Sequence, residues 1–524
     1  MRGRESLWEK VSMMGTERTL GRLAEESWNK LGDFDALHFE GSWHRGHDLA
    51  QRTRHVTGGL KALGVEPGDR VVVMMVNCPE VQIAYQALWA AGAVVTPVLF
   101  LVAAEELRHI ITDSEPRALI VSAELLPAAL TATDGLDVAV VVAGEIPEGA
   151  PQGGTQRVSG FAELEEAPEA GAAGRDEDDL AALMYTGGTT GRAKGVMLSH
   201  GGLWHVSKAA HDLTHRPGVD RAIVPVPLSH SYGLIITIAA MHAPEPPHTV
   251  LMRWFDPKAF LRLAAGHRVQ YGAVVPTMLQ ELLTEPLEAT PLPDLQYLTC
   301  GAAPLGREVL TGFERRVPGV RIIEGYGLTE TSAVTTFNPL DRRKTGSAGL
   351  PLPGYTITIR DEDGEPVEPG DIGEICVRGD AIMRGYWRSP DESGHALLDG
   401  ELRTGDIGCT DDDGYLYVVD RKKDLIIRGG FNVFPRDVED ALNRHPDVAM
   451  SGVVGRPDPR LGEEVVAFVQ LNPGGAATAE SLMEWARERV GRVRYPRELH
   501  FVDTIPLTSV MKLDRKVLRS QFDR

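Results

Sequence analysis

Cysteine is scarce in this chain: Cys78, Cys300, Cys376 and Cys409 are the only four in 524 residues, and no two form a CxxC pair. That spacing excludes a zinc knuckle and a disulfide framework, and it suits a reducing cytoplasm. Positive charge is also short. Lys and Arg number 54 against 74 Asp and Glu, a formal charge of −20 with His neutral. A nucleic-acid coat needs a basic surface, so nucleic acid is not the expected partner; a local basic pocket for a small anion is still allowed. The opening MRGRESLWEK lacks the apolar core of a signal peptide. One stretch, Ala87 to Ala104, is apolar enough to raise the question of a membrane span. Gly92, Thr96 and Pro97 interrupt it and β-branched residues fill its second half, so it reads as a buried helix followed by a buried strand. A soluble, cytoplasmic protein without integral membrane contact is expected. There is no solenoid repeat and no low-complexity tract beyond one acidic connection.

The composition that is present, 43% hydrophobic and 24% charged, is that of an ordinary globular protein. The length suggests about three to four domains or two large ones, with cores that need no disulfide or metal staple. The first 150 residues alternate in type. A helix around Val56 to Leu63 leads through the turn Glu66-Pro67-Gly68-Asp69 into an apolar strand, Val71 to Val76. A helix after Pro79, a strand at Ala93 to Val98, a helix at Glu105 to Thr112 and a strand at Ala118 to Val121 follow. This alternation predicts layered α/β architecture on a mainly parallel sheet. From Glu145 to Asp179 the chain turns to Gly, Ala, Pro, Glu and Asp and reads as a surface connection.

Composition shifts again near residue 420. The turn Asp411-Asp412-Asp413-Gly414 and a strand at Tyr415 to Val419 precede the charged cluster Asp420-Arg421-Lys422-Lys423-Asp424. Beyond it lie the expected strands Val448 to Val454 and Val465 to Leu471 and the helix Ala479 to Val490. The expected organisation is a large N-terminal multi-subdomain α/β domain, 1–422, and a small mobile α+β domain, 423–524, joined at a charged hinge.

The strongest local signal is the ten-residue core Thr186-Gly187-Gly188-Thr189-Thr190-Gly191-Arg192-Ala193-Lys194-Gly195, between apolar flanks. Glycines let backbone amides curl around an anion and threonines add donors. Arg192 and Lys194 supply compensating charge. A Gly-rich hairpin turn is the plainer reading, but it has no need of three threonines and two cations together. The spacing fails the G-x-x-x-x-G-K-[ST] pattern of kinases and GTPases, because Ala193 precedes the lysine and Gly195 follows it.

Further motifs accompany this loop: Glu324-Gly325-Tyr326-Gly327-Leu328-Thr329-Glu330, Arg403-Thr404-Gly405-Asp406, Val419 to Asp424, Gly429-Gly430-Phe431-Asn432-Val433, and Pro506-Leu507-Thr508 through Lys512. In this order they make the chain resemble, over nearly its whole length, the adenylate-forming superfamily of acyl- and aryl-CoA synthetases, peptide-synthetase adenylation domains and firefly luciferase. The resemblance implies a ligase working in two steps. A carboxylate attacks the α-phosphate of ATP, giving an acyl-adenylate and pyrophosphate; a thiol, usually that of coenzyme A, then expels AMP. The substrate is its own nucleophile, so the protein positions reactants and stabilises charge.

The same resemblance assigns roles. Thr186 to Gly191 and Lys194 hold phosphates, with Thr189 and Glu330 beside Mg²⁺, a hard cation that prefers oxygen. Gly301, Ala302, Ala303, Glu324, Gly325, Tyr326 and Gly327 border the adenine. Asp406 accepts from the ribose hydroxyls and Arg421 adds a donor. Thr329 joins Glu330, His230 and Lys512 in the catalytic set. Lys512, placed between carboxylate and α-phosphate, is the principal catalytic residue. The small domain swings on Lys423 to bring in either Lys512 or the Gly429-Gly430-Phe431 loop, where a side chain at Gly430 would obstruct the incoming thiol. His230, Ser231 and Tyr232 form the gate of the acyl pocket; Val275, Pro276, Thr277, Ala302, Ala303, Gly327 and Leu328 line the rest. Amino-acid-activating relatives carry aspartate where this chain has Ser231, so an α-ammonium would go unpaired. Two positions depart from the family pattern: Met511 stands for a glycine before Lys512, and Gly187 for a serine. The expected activity is ATP-dependent acyl-CoA synthesis from a fatty or aryl acid by a monomer or homodimer. The alternatives are an acyl-AMP ligase that loads a carrier protein and a catalytically silent nucleotide- and acyl-binding protein.

Overall fold

The computed structural model describes residues 18–149, 157–186, 192–508 and 513–523. Four sheets organise them. The first has seven strands, in the order Arg157–Gly160, Ala139–Ala143, Ala118–Ser122, Arg70–Met74, Val94–Pro97, Leu180–Thr186 and Lys194–Ser199. All neighbours are parallel except the last pair, which is antiparallel. Val71, Val72, Val73 and Met74 are at most 1% exposed. A sheet covered on both faces needs such an unbroken apolar run, and here consecutive residues face different core clusters.

The apolar stretch after Ala87 divides as its glycine suggests. The helix Pro79–Ala91 starts with proline in its first turn and ends at Gly92, whose φ of 82° supplies the left-handed C-cap. The strand Val94–Pro97 follows. No helix among the described residues is long and apolar enough to cross a membrane. The 145–179 connection is more than a surface loop. It contains the strand Arg157–Gly160 and the short helix Phe161–Glu165, with Phe161 and Leu164 buried. The acidic composition concealed it, since few apolar residues turn inward: Phe161 and Leu164 are buried and Val158 partly so.

The second sheet has nine strands. Its centre is parallel: Asp35–Phe39, His248–Leu251, Arg221–Val224, Tyr271–Val274, Tyr297–Cys300 and Arg321–Tyr326. Short antiparallel strands close both edges. The third is an antiparallel sheet built on Tyr355–Arg360, Gly373–Gly379, Glu401–Thr410 and Leu416–Arg421.

The fourth sheet belongs to the C-terminal part. A long antiparallel hairpin, Val448–Asp458 with Gly462–Leu471, is flanked by the parallel strand Glu498–Phe501 and the small hairpin Ile426–Arg428 with Phe431–Val433. The helices Pro435–Asn443 and Ala479–Arg494 pack Val438, Leu442, Leu482 and Ala486 on one face, while Ile505 and Leu518 pack on the other. Both buried clusters of this part contain only residues from Ile426 onward. The whole is an α/β molecule with a large N-terminal part and a small C-terminal one.

Candidate functional site

Ligands of open α/β sheets sit beyond the C-terminal ends of the parallel strands. In the second sheet those ends are Val274, Cys300 and Tyr326, followed by Val275, by Gly301-Ala302-Ala303 and by Gly327-Leu328. Backbone here is held in sparse conformations: Ala302, Ser332 and Ala333 have φ of 69°, 53° and 87°. Such residues cost about 1–3 kcal/mol each and persist only where their surroundings enforce them. The surroundings do so. Tyr355 donates to the Thr331 carbonyl at 2.6 Å and Ser332 to the Ala381 carbonyl at 2.6 Å. A Cβ on Gly327 would sit 2.1 Å from the Ala333 oxygen, so the turn demands glycine.

That turn, Thr329–Thr331, presents Thr329 and Glu330. Thr329 Oγ1 lies 3.5 Å from Ser231 Oγ. His230 is the N-cap of the helix Ser231–Ala240, its Nδ1 accepting from the Tyr232 amide at 3.2 Å. Glu330 Oε1 accepts from the Tyr386 hydroxyl at 2.9 Å, and the Glu330 carbonyl accepts from the Met383 amide. Lys194 stands opposite, 3.3 Å from Glu392 and 5.5 Å from the Tyr386 ring centroid. Thr186 and Lys194 are partners in the antiparallel pairing of the strands Leu180–Thr186 and Lys194–Ser199. Gly187, Gly188, Thr189, Thr190 and Gly191 lie outside the described residues, as do Met511 and Lys512.

A third group forms around Asp406. It is 4% exposed, accepts from the Tyr326 hydroxyl at 2.8 Å, and faces Arg421 Nε at 3.2 Å. Burial and the Asp406 charge push the Tyr326 hydroxyl well above its usual value, so it remains a donor. Gly405, at φ 71°, aims the carboxylate. Glu324 is the opposite case. Among the described residues it accepts one long 3.3 Å bond, from the Gly346 amide, and desolvation raises its carboxyl to about 7.

Behind Tyr232 opens a mainly apolar cavity of about 1670 Å³, mouth included. The helices His200–Thr214 and Ser231–Ala240 form one wall and the strands carrying Tyr271, Tyr297 and Thr299 the other. Tyr232 bonds Thr299 Oγ1 at 2.6 Å, fixing the junction between cavity and strand ends. Of the residues expected along the acyl cleft, Tyr232 lines this cavity. His230, Ser231, Val275, Pro276, Thr277, Ala302, Ala303, Gly327 and Leu328 do not; they lie at the strand ends and the adjoining helix starts.

The small hairpin turns on Gly429 and Gly430, with φ of 59° and 81°. Two positive φ values between paired strands make a type I′ turn. The glycines are therefore required by backbone conformation, with nothing within 4 Å of a Cβ at Gly430. Phe431, beside them, is 60% exposed. The segment Asp420 to Asp424 is tied from both sides. Asp420 accepts from the Arg436 amide, Lys422 from the large part meets Glu374, and Asp424 meets Arg515 and Arg519. Lys423 is exposed between them.

Sequence reasoning missed the segment Met383–Trp387, which joins these groups: Val196 bridges Tyr386, and the Trp387 amide donates to Gly195. Its only signal was an aromatic pair after Gly385. It also missed Tyr271, Tyr297, His211 and His215 of the cavity wall, which no local pattern distinguishes from core.

Comparison with known proteins agrees with this layout. The AMP-binding enzyme family model matches residues 24–387, and the AMP-binding enzyme C-terminal domain model matches 437–512. The long-chain-fatty-acid–CoA ligase of Bacillus subtilis (strain 168) is 33% identical over 532 residues, covering 96% of this chain and 94% of that one. A feruloyl-CoA synthase of an Amycolatopsis species is 34% identical over 482 residues, covering 91% and 93%. The crystal structure of ATP-bound MatB from Rhodopseudomonas palustris superposes with a TM-score of 0.86 at 31% identity, covering 97% of this chain and 99% of that one. The chain belongs to the AMP-binding enzyme family, among the AMP-forming acid–CoA ligases.

Proposed function

We propose that this enzyme is an ATP-dependent acyl-CoA synthetase that activates a fatty or aryl carboxylic acid as its adenylate and passes the acyl group to coenzyme A. The observation that carries the reading is continuity along one strand. Thr299 borders the apolar cavity while Gly301, two residues further on, lies beside Gly325, next to the Tyr326 that bonds Asp406. An acid seated in the cavity would present its carboxylate at the strand ends, where ATP would bind. The relatives' activities support this, as does the ATP bound in MatB.

On this reading Asp406 and Arg421 hold the ribose, Tyr326 with Gly301 to Ala303 frames the base, and Lys194 and the glycine-rich segment take the phosphates. Glu330 fits a Mg²⁺ ligand. Tyr386 occupies one of its oxygens, and this cation is commonly held by one or two carboxylates together with substrate phosphates; Thr189 would assist. Mg²⁺ would offset phosphate charge. Residues 423–524 would turn as a body at Lys423, delivering Lys512 for the first step and the Gly429-Gly430-Phe431 hairpin for the second. Ser231, 6% exposed and facing Thr329, offers no carboxylate for an α-ammonium, which disfavours amino acids.

The test is pyrophosphate release with ATP, Mg²⁺ and a panel of acids, with and without coenzyme A. Acid-dependent release, with AMP and thioester formed in equal amounts, is expected. Lys512→Ala should slow adenylate formation by about a hundred- to a thousandfold while thioester formation from preformed adenylate continues. Formation of ADP, or no release with any acid, would contradict the reading.

A further inference from the structure

The parallel strands give the cavity a direction. Thr299 lies near the strand ends and Tyr297 two residues deeper. At about 3.3 Å per residue, the path from Gly301 back to Tyr297 is roughly 13 Å. Its deep end is polar. The rings of His211 and His215, one helical turn apart, stack with centroids 5.1 Å apart, and those of Tyr271 and Tyr297 with centroids 5.4 Å apart. All four line the cavity.

Their hydrogen bonds are only partly spent. The Tyr297 hydroxyl donates to the Thr214 carbonyl at 3.1 Å, tying strand to helix. Among the described residues the Tyr271 hydroxyl has no hydrogen-bond partner. His211 Nδ1 meets Asp212 at 3.2 Å, leaving Nε2 unengaged, and burial holds this imidazole below its usual value. With Nδ1–H turned to the carboxylate, the neutral ring offers Nε2 as an acceptor. Burial and the nearby Asp220 carboxylate raise Tyr271 to about 12, keeping it a phenol. Among the described residues no Lys or Arg lines the cavity, so a second carboxylate on the substrate would go unpaired there.

Resting on the synthetase reading above, we propose that the cavity selects an aromatic acid with a short linker and a hydroxyl on the far side of its ring, bonded by Tyr271 and His211. The ring fills the apolar middle beside Ile235 and Ala239, and the hydroxyl donates to His211 Nε2 while accepting from Tyr271. One such bond changes selectivity by roughly tenfold.

The experiment compares kcat/KM for pyrophosphate release with para-hydroxycinnamate and cinnamate, and with para-hydroxyphenylpropanoate and phenylpropanoate. Decanoate and a para-aminomethyl analogue complete the panel. The wild-type enzyme should favour each hydroxylated acid about tenfold, through KM for the acid. Tyr271→Phe and His211→Leu should each bring that ratio toward one. A wild-type ratio of one or less, a preference for the aminomethyl acid, or a ratio that both variants leave unchanged would overturn the proposal. Turnover of decanoate alone would overturn it while leaving the synthetase reading intact; absence of release with every acid would remove both. The wild-type ratio decides even if a variant folds poorly.

Discussion

Two carboxylates, buried Asp406 and half-buried Glu324, illustrate how environment separates roles at the residue scale. Asp406 has a phenol donor and a guanidinium beside it; Glu324 has, among the described residues, a single long amide bond. Its folded value of about 7 lies above the 4.5 of the free side chain. The folded state therefore binds more protons than the unfolded state between those values, and stability falls as pH rises through that window and levels above it. Glu324→Gln should remove the effect. Between about pH 5 and about pH 8, wild type should lose roughly 2–3 kcal/mol more stability than the variant, measured by denaturant unfolding. Equal losses would show that Glu324 is ionised in the fold throughout. The sequence marked Tyr326 and Asp406 through separate motifs, but the bond between them, across 80 positions, is a product of sheet stacking. Tyr271 and His211 were invisible for the same reason: their role depends on which wall faces the cavity.

At the scale of elements, close approach explains what composition obscures. Gly58 and Gly59 sit inside the helix Gly46–Ala62, where glycine costs about 1 kcal/mol relative to alanine. A Cβ at Gly58 would lie 1.9 Å from the Pro168 oxygen, and one at Gly59 2.6 Å from Leu164. The glycines admit the segment that the acidic composition had disguised as loop. Alternation of strand and helix was legible because buried parallel strands need unbroken apolar runs; short strands such as Thr336–Phe337 carry no period to read. The Gly429-Gly430 turn makes an element-scale prediction. Gly430→Leu places a side chain at φ 81°, costing about 1–2 kcal/mol locally, and sets bulk beside Phe431. Thioester formation from preformed adenylate should slow at least tenfold, while acid-dependent pyrophosphate release stays within a few-fold. Equal loss of both would assign the hairpin to stability alone. Here the sequence identified the residues, and the backbone supplied a reason other than thiol access.

At the scale of the molecule, the described chain on either side of residues 509–512 is tied to the small part. Leu507 bridges Leu513, Arg515 holds Glu439 at 2.8 Å, and Leu518 is fully buried. Leu513, Leu518 and Phe522 thus pack onto the C-terminal core. On the proposed reading the small domain moves as a body between the two half-reactions. The proposed activity turns on one bond-forming event, attack of a substrate carboxylate oxygen on the α-phosphate of ATP. The direct measurement is mass spectrometry of AMP from a turnover with acid labelled by heavy oxygen in its carboxylate. One heavy oxygen is expected in each AMP released, because the carboxylate oxygen stays on phosphorus when the thiol takes the acyl group. AMP without label, at full thioester yield, would contradict it.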